Sequence, residues 1–438
     1  MSLRYFGTDG IRGRALQPPL GLDDACRWGA AWAQAARVEG IERLVVGWDP
    51  RSSSESLFQA FRQGVGMRLE ILSLGMAPTP AVAWNVVRQN EAGARAWGLM
   101  ISASHNPPED NGLKGFNARG EKLEEEQERA IEEAFDALQE PTTILVEARS
   151  LSLQPYLDHL QGLDLPADLP VVVDCAHGAT ALSAPKLLRG NVRFLGVPAD
   201  GPRINVGVGS THLETLQAEV RRSGAALGVA FDGDGDRCLL VDPSGLVVDG
   251  DQILWLLVQD LLERGQPVPG AVGTLMSNAG LESALASRKV EFVRTPVGDK
   301  FMLRELGRRG WDLAAEASGH VIQRHLGPSG DGLATALEAM AALLRRPTLE
   351  RWSWRFRPWP LRLVNVLVPS RRPVQDCSAL MAARAALETA KGGDLRIVVR
   401  WSGTEPKLRL MVEARETALV DEALAVLETA ARKDLSLP

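Results

Sequence analysis

The chain has 438 residues, 45 % of them hydrophobic and 24 % charged, an ordinary globular composition with enough apolar material for packed cores and no bias toward disorder. That length exceeds one compact core and corresponds to about three or four domains. The formal net charge of −6 argues against a general nucleic-acid binder, which would carry a basic surplus, but leaves room for a local cationic site for a small anion.

The N-terminal stretch "MSLRYFGTDG" lacks the apolar core of a signal peptide. The four cysteines, Cys26, Cys175, Cys238 and Cys377, are scattered and form no CxxC pair, which reads as buried thiols in a reducing compartment. The best apolar run, "ILWLLV" at 253–258, is far too short to span a bilayer. These features predict a cytoplasmic protein with neither membrane nor nucleic acid as partner.

From Arg43, "RLVVGWDPRSSSESLFQAF" is an apolar run that ends in polar residues and passes into a helix-like stretch. The same form recurs in "LPVVVDCAHGATALSAPKLL" from Leu169 and "AVGTLMSNAGLESAL" from Ala271. These are βα units, three related copies of one design, and ligands bind at the carboxyl ends of such strands. Between the first two lies "LMISASHNPPEDNGLKG" (99–115), an apolar strand running into a polar loop. Ser102 and Ser104 stand at the strand end, His105 and Asn106 follow, and Pro107 and Pro108 forbid a helix. A serine hydroxyl exposed at a strand end is a candidate nucleophile. The competing reading is a turn held by serine and asparagine side chains. "EKLEEEQERAIEEAFDALQE" (121–140) reads as an acidic amphipathic helix whose glutamates form a solvated face, and "PTTILVEARSLSL" leads into a second domain.

"VAFDGDGDRCLLVD" (229–242) is the strongest chemical signal: a strand runs into Asp232, Asp234 and Asp236, spaced by single glycines, then Arg237 and a second strand. Carboxylates at alternate positions repel one another unless a hard divalent cation joins them, and the glycines let the backbone wrap it. An EF-hand would need glycine and glutamate where Arg237 and Pro243 stand, so this is a metal loop of another kind. "LAAEASGHVIQRHLGPSGDGLATAL" (313–337) sets Glu316, Ser318 and His320 just after a short apolar run. The carboxylate and hydroxyl suit a grip on neighbouring sugar hydroxyls, and "GPSGDGL" leads into a helix. "RRPTLERWSWRFRPWP" (345–360), rich in Pro, Arg and Trp, reads as a linker or packing segment. The tail from about Leu361 carries two strand-like runs, "LRLVNVLVP" and "LRIVVRWSG", and a later helix-like stretch, a small α+β domain. Within it, "VRWSGTEPKLRLMVEA" offers Arg400, Ser402, Thr404, Lys407 and Arg409 around Gly403, a set suited to a phosphate dianion, against the plainer reading of a hairpin with surface cations.

A nucleophilic serine, a three-carboxylate metal loop, a sugar grip and a phosphate pocket together predict phosphoryl transfer on a phosphosugar. No GKS or GKT phosphate loop and no GxSxG elbow occurs, so a nucleotide is not the expected phosphate source. The segments "YFGTDGIRG", "ISASHNP", "DNGLKG", "FDGDGDR", "VGTLMSN", "EASGH", "GDGL" and "RWSGTEPKLRLMVE", in this order over nearly the whole chain, resemble those of the α-D-phosphohexomutase superfamily, most closely its phosphoglucosamine mutase branch.

The resemblance implies an α/β protein of four domains around a central cleft: three related α/β domains with mixed sheets and a small C-terminal α+β domain. The boundaries expected here are 1–150, 151–250, 251–360 and 361–438. It also implies a phosphate carried on Ser104, one Mg²⁺ per subunit held by Asp232, Asp234, Asp236 and the phosphorylated Ser104, and a hexosamine 1,6-bisphosphate as activator and intermediate. Lys114, Arg237 and Arg12 would neutralise the moving phosphoryl group, His105 would help fix the serine loop, and His320 is a candidate for proton transfer. Glu316 and Ser318 would hold sugar hydroxyls, and Arg400, Ser402, Gly403, Thr404 and Arg409 the phosphate that is not reacting. The partner is a small phosphosugar, with a homodimer among the allowed assemblies. The chain departs from its relatives at Ala317, where Asn or Met is common, and in "GWDPRSSSES", where they carry a DTRxSG pattern. The alternatives are a phosphomannomutase or phosphoglucomutase, a phosphatase, and a non-catalytic phosphosugar-binding protein on the same scaffold.

Overall fold

The computed structural model describes residues 3–138, 144, 146–164, 169–346, 352–368, 372–401 and 407–435. The chain divides into two compact units, one of residues 1–274 with 291–354, the other of residues 275–290 with 355–438.

The larger unit contains one supersecondary plan three times. In the first sheet, Arg43–Trp48 is central and pairs in parallel with Glu70–Met76 on one side and Ala96–Ile101 on the other, and Ala96–Ile101 pairs antiparallel with Asp110–Phe116. In the second, Val171–Asp174 is flanked in parallel by Val192–Leu195 and Leu227–Phe231, and the latter pairs antiparallel with Cys238–Val241. In the third, Gly270–Thr274 is flanked in parallel by Glu291–Thr295 and Leu313–Ala315, and the latter pairs antiparallel with Val321–Gln323. The central strand of each sheet is the one that opens each βα unit in the sequence. Each antiparallel step is made by a polar loop leaving the carboxyl end of a parallel strand: 102–109, 232–237 and 316–320. Mixed α/β sheets of this kind collect ligands at such ends.

The first sheet shows why these residues form buried strands. All six residues of Ala96–Ile101 are buried, as expected for a strand covered on both faces. Alternation sends Leu44, Val46, Trp97, Leu99 and Ile101 into a core with Trp28, Trp32 and Phe61, while Gly47 and Gly98 meet Val82 and Val86 of the helix Thr79–Glu91 on the other face. Trp28, Trp32 and Trp97 are fully buried, and side chains of that size contribute upward of about 2 kcal/mol each, so the loops are anchored to a rigid base. The helices Leu22–Val38 and Ser54–Val65 cross where neither has a side chain: a Cβ on Gly29 would lie 1.9 Å from the Phe61 carbonyl oxygen.

The acidic helix covers Glu125–Ala137, inside the expected 121–140, and its glutamates are not all solvated. Glu132 is buried and accepts from the backbone N–H groups of Arg4, Tyr5 and Phe6 at 2.6–3.0 Å, tying down the N-terminal strand. Glu128 is buried beside Lys300 at 3.9 Å. Trp354, in the segment expected to link or pack, is buried, and its carbonyl accepts from Trp255 Nε1 and Gln259 Nε2.

The smaller unit is a three-stranded antiparallel sheet with Lys407–Ala414 between Leu361–Leu367 and Leu395–Trp401. Two helices, Ser378–Lys391 and Thr417–Asp434, contribute to its core, where the sequence suggested one helix and two strands. The middle strand alternates only from Lys407 to Leu410 and is buried on both faces from Leu410 to Ala414, Glu413 included, so its period was hard to see. The helix Ala279–Ser287 joins this unit: buried Glu413 accepts from Ala279 N at 2.8 Å, and Arg396 binds Glu413 and the carbonyls of Leu275 and Ser277. Among the described residues, no helix is long and apolar enough to cross a membrane.

Candidate active site

The loop between Phe231 and Cys238 gathers three buried carboxylates. Oxygens of Asp232, Asp234 and Asp236 lie within 4.8 Å of one another. Asp234 Oδ1 and Asp236 Oδ1 are buried and accept no hydrogen bond among the described residues. Hard oxygen donors with uncommitted lone pairs fit a divalent cation such as Mg²⁺. Burial and the two neighbouring carboxylates push Asp232 well above the usual carboxylate range. Burial and Asp236 oppose ionisation of Asp234 too, but the Lys114 ammonium overrides them and holds it below that range. Asp236 is likewise held well below, burial being outweighed by Lys114 and His320.

Lys114, on Asp110–Phe116, reaches this group from the first sheet. Its buried Nζ lies 2.6 Å from Asp234 Oδ2, 3.1 Å from Asp9 Oδ2 and 3.6 Å from Asp236 Oδ2. Thr79 Oγ1 also donates to Asp234 Oδ2, at 2.6 Å. Arg12 pairs with Asp9 and donates to Ala103 O and Asn106 Oδ1, both at 3.3 Å. Arg237 N donates to Asp232 Oδ1 at 3.2 Å, and its Nε lies 3.9 Å from Asp236 Oδ1.

Ser104 projects into the same group, its Oγ donating to Asp232 Oδ2 at 2.6 Å and lying 3.2 Å from His105 Nδ1. The sequence suggested an exposed hydroxyl; Ser104 is 1 % exposed, packed against the loop that carries Asp232. Its φ of +54° is left-handed, a conformation a serine adopts only when its surroundings enforce it. Burial, then Arg237 and Arg12, hold the His105 imidazole down to about 4, so at pH 7 it is neutral and a weak base.

From the third sheet, His320 is buried with Nδ1 3.8 Å from Asp236 Oδ1 and Nε2 3.8 Å from Asp299 Oδ2. Burial would lower its pKa, but Asp236, Asp299 and Glu316 outweigh burial and raise it. Glu316 Oε1 accepts from Gly298 N at 3.0 Å, and Ser318 Oγ donates to Glu316 Oε2 at 3.3 Å. The three mixed sheets of the larger unit therefore contribute loops with interacting polar side chains.

Arg400 and Arg409 belong to the smaller unit, directly opposite each other on adjacent antiparallel strands, with Asn365 opposite Arg409 on the other side. Like charges facing across a ladder repel each other. Burial, then Arg409, lower the Arg400 pKa. Ser402, Gly403 and Thr404 lie outside the described residues.

Four family models match the chain in order: Phosphoglucomutase/phosphomannomutase alpha/beta/alpha domain I at residues 3–142, domain II at 154–245, domain III at 249–353 and the C-terminal domain at 363–429. Phosphoglucosamine mutase of Pseudomonas putida is 41 % identical over 449 residues, covering 98 % of this chain and 99 % of that protein. Phosphoglucosamine mutase of Azotobacter vinelandii is 41 % identical over 439 residues, covering 96 % of each. The chain belongs to the phosphoglucosamine mutase family of phosphohexomutases. Among solved structures, a phosphoglucomutase/phosphomannomutase family protein from Burkholderia thailandensis superposes with a TM-score of 0.81 at 22 % identity, covering 99 % of this chain and 98 % of that one. The N-acetylphosphoglucosamine mutase of Aspergillus fumigatus, solved with GlcNAc-6P and magnesium, gives a TM-score of 0.65 at 17 % identity, covering 99 % and 96 %.

Membership of the phosphohexomutase family makes the chain an enzyme, an intramolecular phosphotransferase, and removes the non-catalytic binding reading. Several side chains packed around the candidate site escape a reading of the sequence. Asp9 joins Arg12, Lys114 and Lys122, and Lys122 Nζ lies 3.5 Å from Asp299 Oδ2. Arg51 and Asp49 form a fully buried ion pair behind the Ser104 loop. Asn205 donates to the Ser104 carbonyl oxygen from the second sheet's domain. The one available signal was "GWDPR", a buried-looking strand ending in two opposite charges.

Proposed function

We propose that this enzyme interconverts glucosamine 6-phosphate and glucosamine 1-phosphate, with Ser104 as the phosphate carrier and a 1,6-bisphosphate as intermediate. The observation that carries the reading is the buried Ser104 hydroxyl 2.6 Å from Asp232, one of three clustered carboxylates, two of which face the Lys114 ammonium and keep uncommitted oxygens. The amino sugar is favoured by relatives named phosphoglucosamine mutase at 41 % identity over nearly the full chain.

Asp232, Asp234, Asp236 and an oxygen of phospho-Ser104 would hold one Mg²⁺, as magnesium accompanies GlcNAc-6P in the Aspergillus structure. When bound, the ion supplies positive charge against the phosphoryl oxygens. In the first half-reaction the bond from Ser104 Oγ to phosphorus breaks as the bond from sugar O1 forms, giving the 1,6-bisphosphate. The bisphosphate then turns over within the site. In the second, Ser104 Oγ attacks the phosphorus on O6, and glucosamine 1-phosphate leaves. Each time the attacking hydroxyl loses a proton and the departing oxygen takes one, and His320 is the candidate to hold a proton between them. Lys114, Arg12 and Arg237 neutralise the phosphoryl group in flight, and His105 helps hold the carrier loop. Glu316 and Ser318 orient the sugar hydroxyls. Arg400, Ser402, Gly403, Thr404 and Arg409 hold the phosphate that is not reacting. Such transfer needs in-line positioning and charge compensation more than covalent chemistry, and these side chains supply both.

The test is turnover of glucosamine 6-phosphate beside glucose 6-phosphate and mannose 6-phosphate, with Mg²⁺ and a trace of the matching bisphosphate. The expected result is a kcat/KM preference for the amino sugar of about tenfold or more, with turnover lost in Ser104→Ala. A neutral hexose preferred over the amino sugar overturns the substrate, accumulating free phosphate points to a phosphatase, and full turnover by Ser104→Ala overturns the carrier.

A further inference from the structure

The Ser104 loop is gripped from behind at two carbonyls. Arg51 Nη2 donates to Ser104 O at 2.9 Å and to Asn106 O at 2.8 Å. Asn205 Nδ2 donates to the same two oxygens, at 2.8 and 3.0 Å. Because both partners are carbonyls, only the amide nitrogen of Asn205 can face them. Arg51 Nη1 extends the grip to Asp110 O at 2.9 Å and to Pro107 O. Arg51 is fixed in turn by Asp49, whose Oδ2 takes Arg51 Nε at 2.9 Å and Ser102 Oγ at 2.7 Å, and Ser102 Oγ accepts Ser104 N at 2.8 Å. The circuit closes on the serine whose φ is +54°.

Arg51 comes from the first sheet's domain and Asn205 from the second, which also carries Asp232. Gly233 packs into the junction: a Cβ there would lie 2.6 Å from Ser104 O and 2.9 Å from Asn205 Nδ2. The clamp and the 232–237 loop thus converge on the same carbonyl.

We infer that Arg51 and Asn205 are positioning residues that lock the backbone of the Ser104 loop in register with Asp232, so that one serine oxygen serves both half-reactions from a fixed point. The inference rests on Ser104 being the phosphate carrier. Neither residue touches the reacting phosphoryl group; each acts through the two carbonyls. In-line transfer is sensitive to displacements of about 1 Å, so loosening the clamp acts on kcat and leaves sugar affinity intact.

Asn205 itself has a φ of +60°, so Asn205→Gly removes the amide without backbone strain. Asn205→Asp keeps the shape but turns a carboxylate onto two carbonyl oxygens. The experiment measures kcat, KM, melting temperature and, by intact mass, the phosphate held on Ser104 after loading with glucosamine 1,6-bisphosphate. The expected result for Asn205→Gly is a kcat about ten- to a hundredfold lower, a KM within about twofold and faster loss of the serine phosphate to water. Asn205→Asp is expected to fall further in kcat than Asn205→Gly, the reverse of what a shape-filling role requires. Arg51→Lys, which keeps the charge but not the fork of donors, is expected to reproduce the Asn205→Gly pattern. Wild-type kcat and phosphate retention in Asn205→Gly and Asn205→Asp overturn the clamp while leaving the carrier intact. A kcat loss matched by the loss of folded protein also overturns it. A wild-type enzyme that takes no phosphate on Ser104 overturns the carrier and the clamp together.

Discussion

Asp9 meets three cations, pairing with Arg12 and Lys122 and standing 3.1 Å from Lys114 Nζ, while Lys114 itself is buried against Asp234 and Asp236. Removing the Lys114 charge strands buried carboxylates, and breaking such a pair typically costs about 3–5 kcal/mol. Lys114→Met is therefore expected to lose most of its turnover and to melt well below wild type in EDTA. Mg²⁺ should raise its melting temperature by more than it raises that of wild type, because the cation replaces the missing ammonium; an equal rise in both proteins counts against a shared site. Glu128 makes a separate prediction. Burial, only partly offset by Lys300 and Lys122, lifts its pKa from 4.5 to about 7. Between those pH values the unfolded chain ionises while the native one keeps its proton, so this residue lowers stability as pH rises through that window. Glu128→Gln removes the effect: melting temperatures of variant and wild type should converge near pH 4.5 and separate, with the variant higher, by pH 7. A constant gap across this range contradicts the assignment. That Asp232, Asp234 and Asp236 gather in one buried cluster was legible from their glycine spacing. Asp9, Arg51 and Asn205 were not, because the contacts that tie them to the site, Lys114 and Lys122 for Asp9 and the Ser104 and Asn106 carbonyls for Arg51 and Asn205, lie far away in sequence, where neither periodicity nor motif reaches.

Three loops do the same job at the same place in three sheets, each leaving a parallel strand and returning antiparallel. The strands before them were readable as apolar runs ending in polar residues, so the place of the candidate site could be inferred before any geometry was known. Burial of Ser104 could not, since it arises from packing against a loop of another domain. The solvated face assigned to the acidic helix failed at Glu128 and Glu132 for a similar reason: composition reports charge, not the backbone amides of residues 4–6 waiting to be satisfied. The crossing of Leu22–Val38 over Ser54–Val65 at Gly29 supplies an element-scale test. Gly29→Ala forces a methyl against the Phe61 carbonyl, and overpacking of this kind costs about 1–3 kcal/mol. The melting temperature should fall while kcat per folded molecule stays at the wild-type value; an unchanged melting temperature would mean the helices part freely.

At the scale of the molecule, the larger unit repeats one plan three times, and the smaller one combines the C-terminal strands with the helix Ala279–Ser287. Arg400 and Arg409, opposed on neighbouring strands of the smaller unit, are the described part of the proposed anchor for the resting phosphate. Arg400→Ala is expected to raise KM for glucosamine 6-phosphate about tenfold or more, from loss of a charge-assisted phosphate contact. A KM unchanged within error would remove Arg400 from that anchor. The central claim is that phosphate passes between sugar and enzyme through Ser104. The most direct measurement is a single turnover from enzyme isotopically labelled in the serine phosphate, mixed with unlabelled glucosamine 6-phosphate. Label leaving Ser104 and appearing first in the 1,6-bisphosphate and then in glucosamine 1-phosphate is the expected result. Product formed while the label stays on the serine, or label released only as free phosphate, would contradict it.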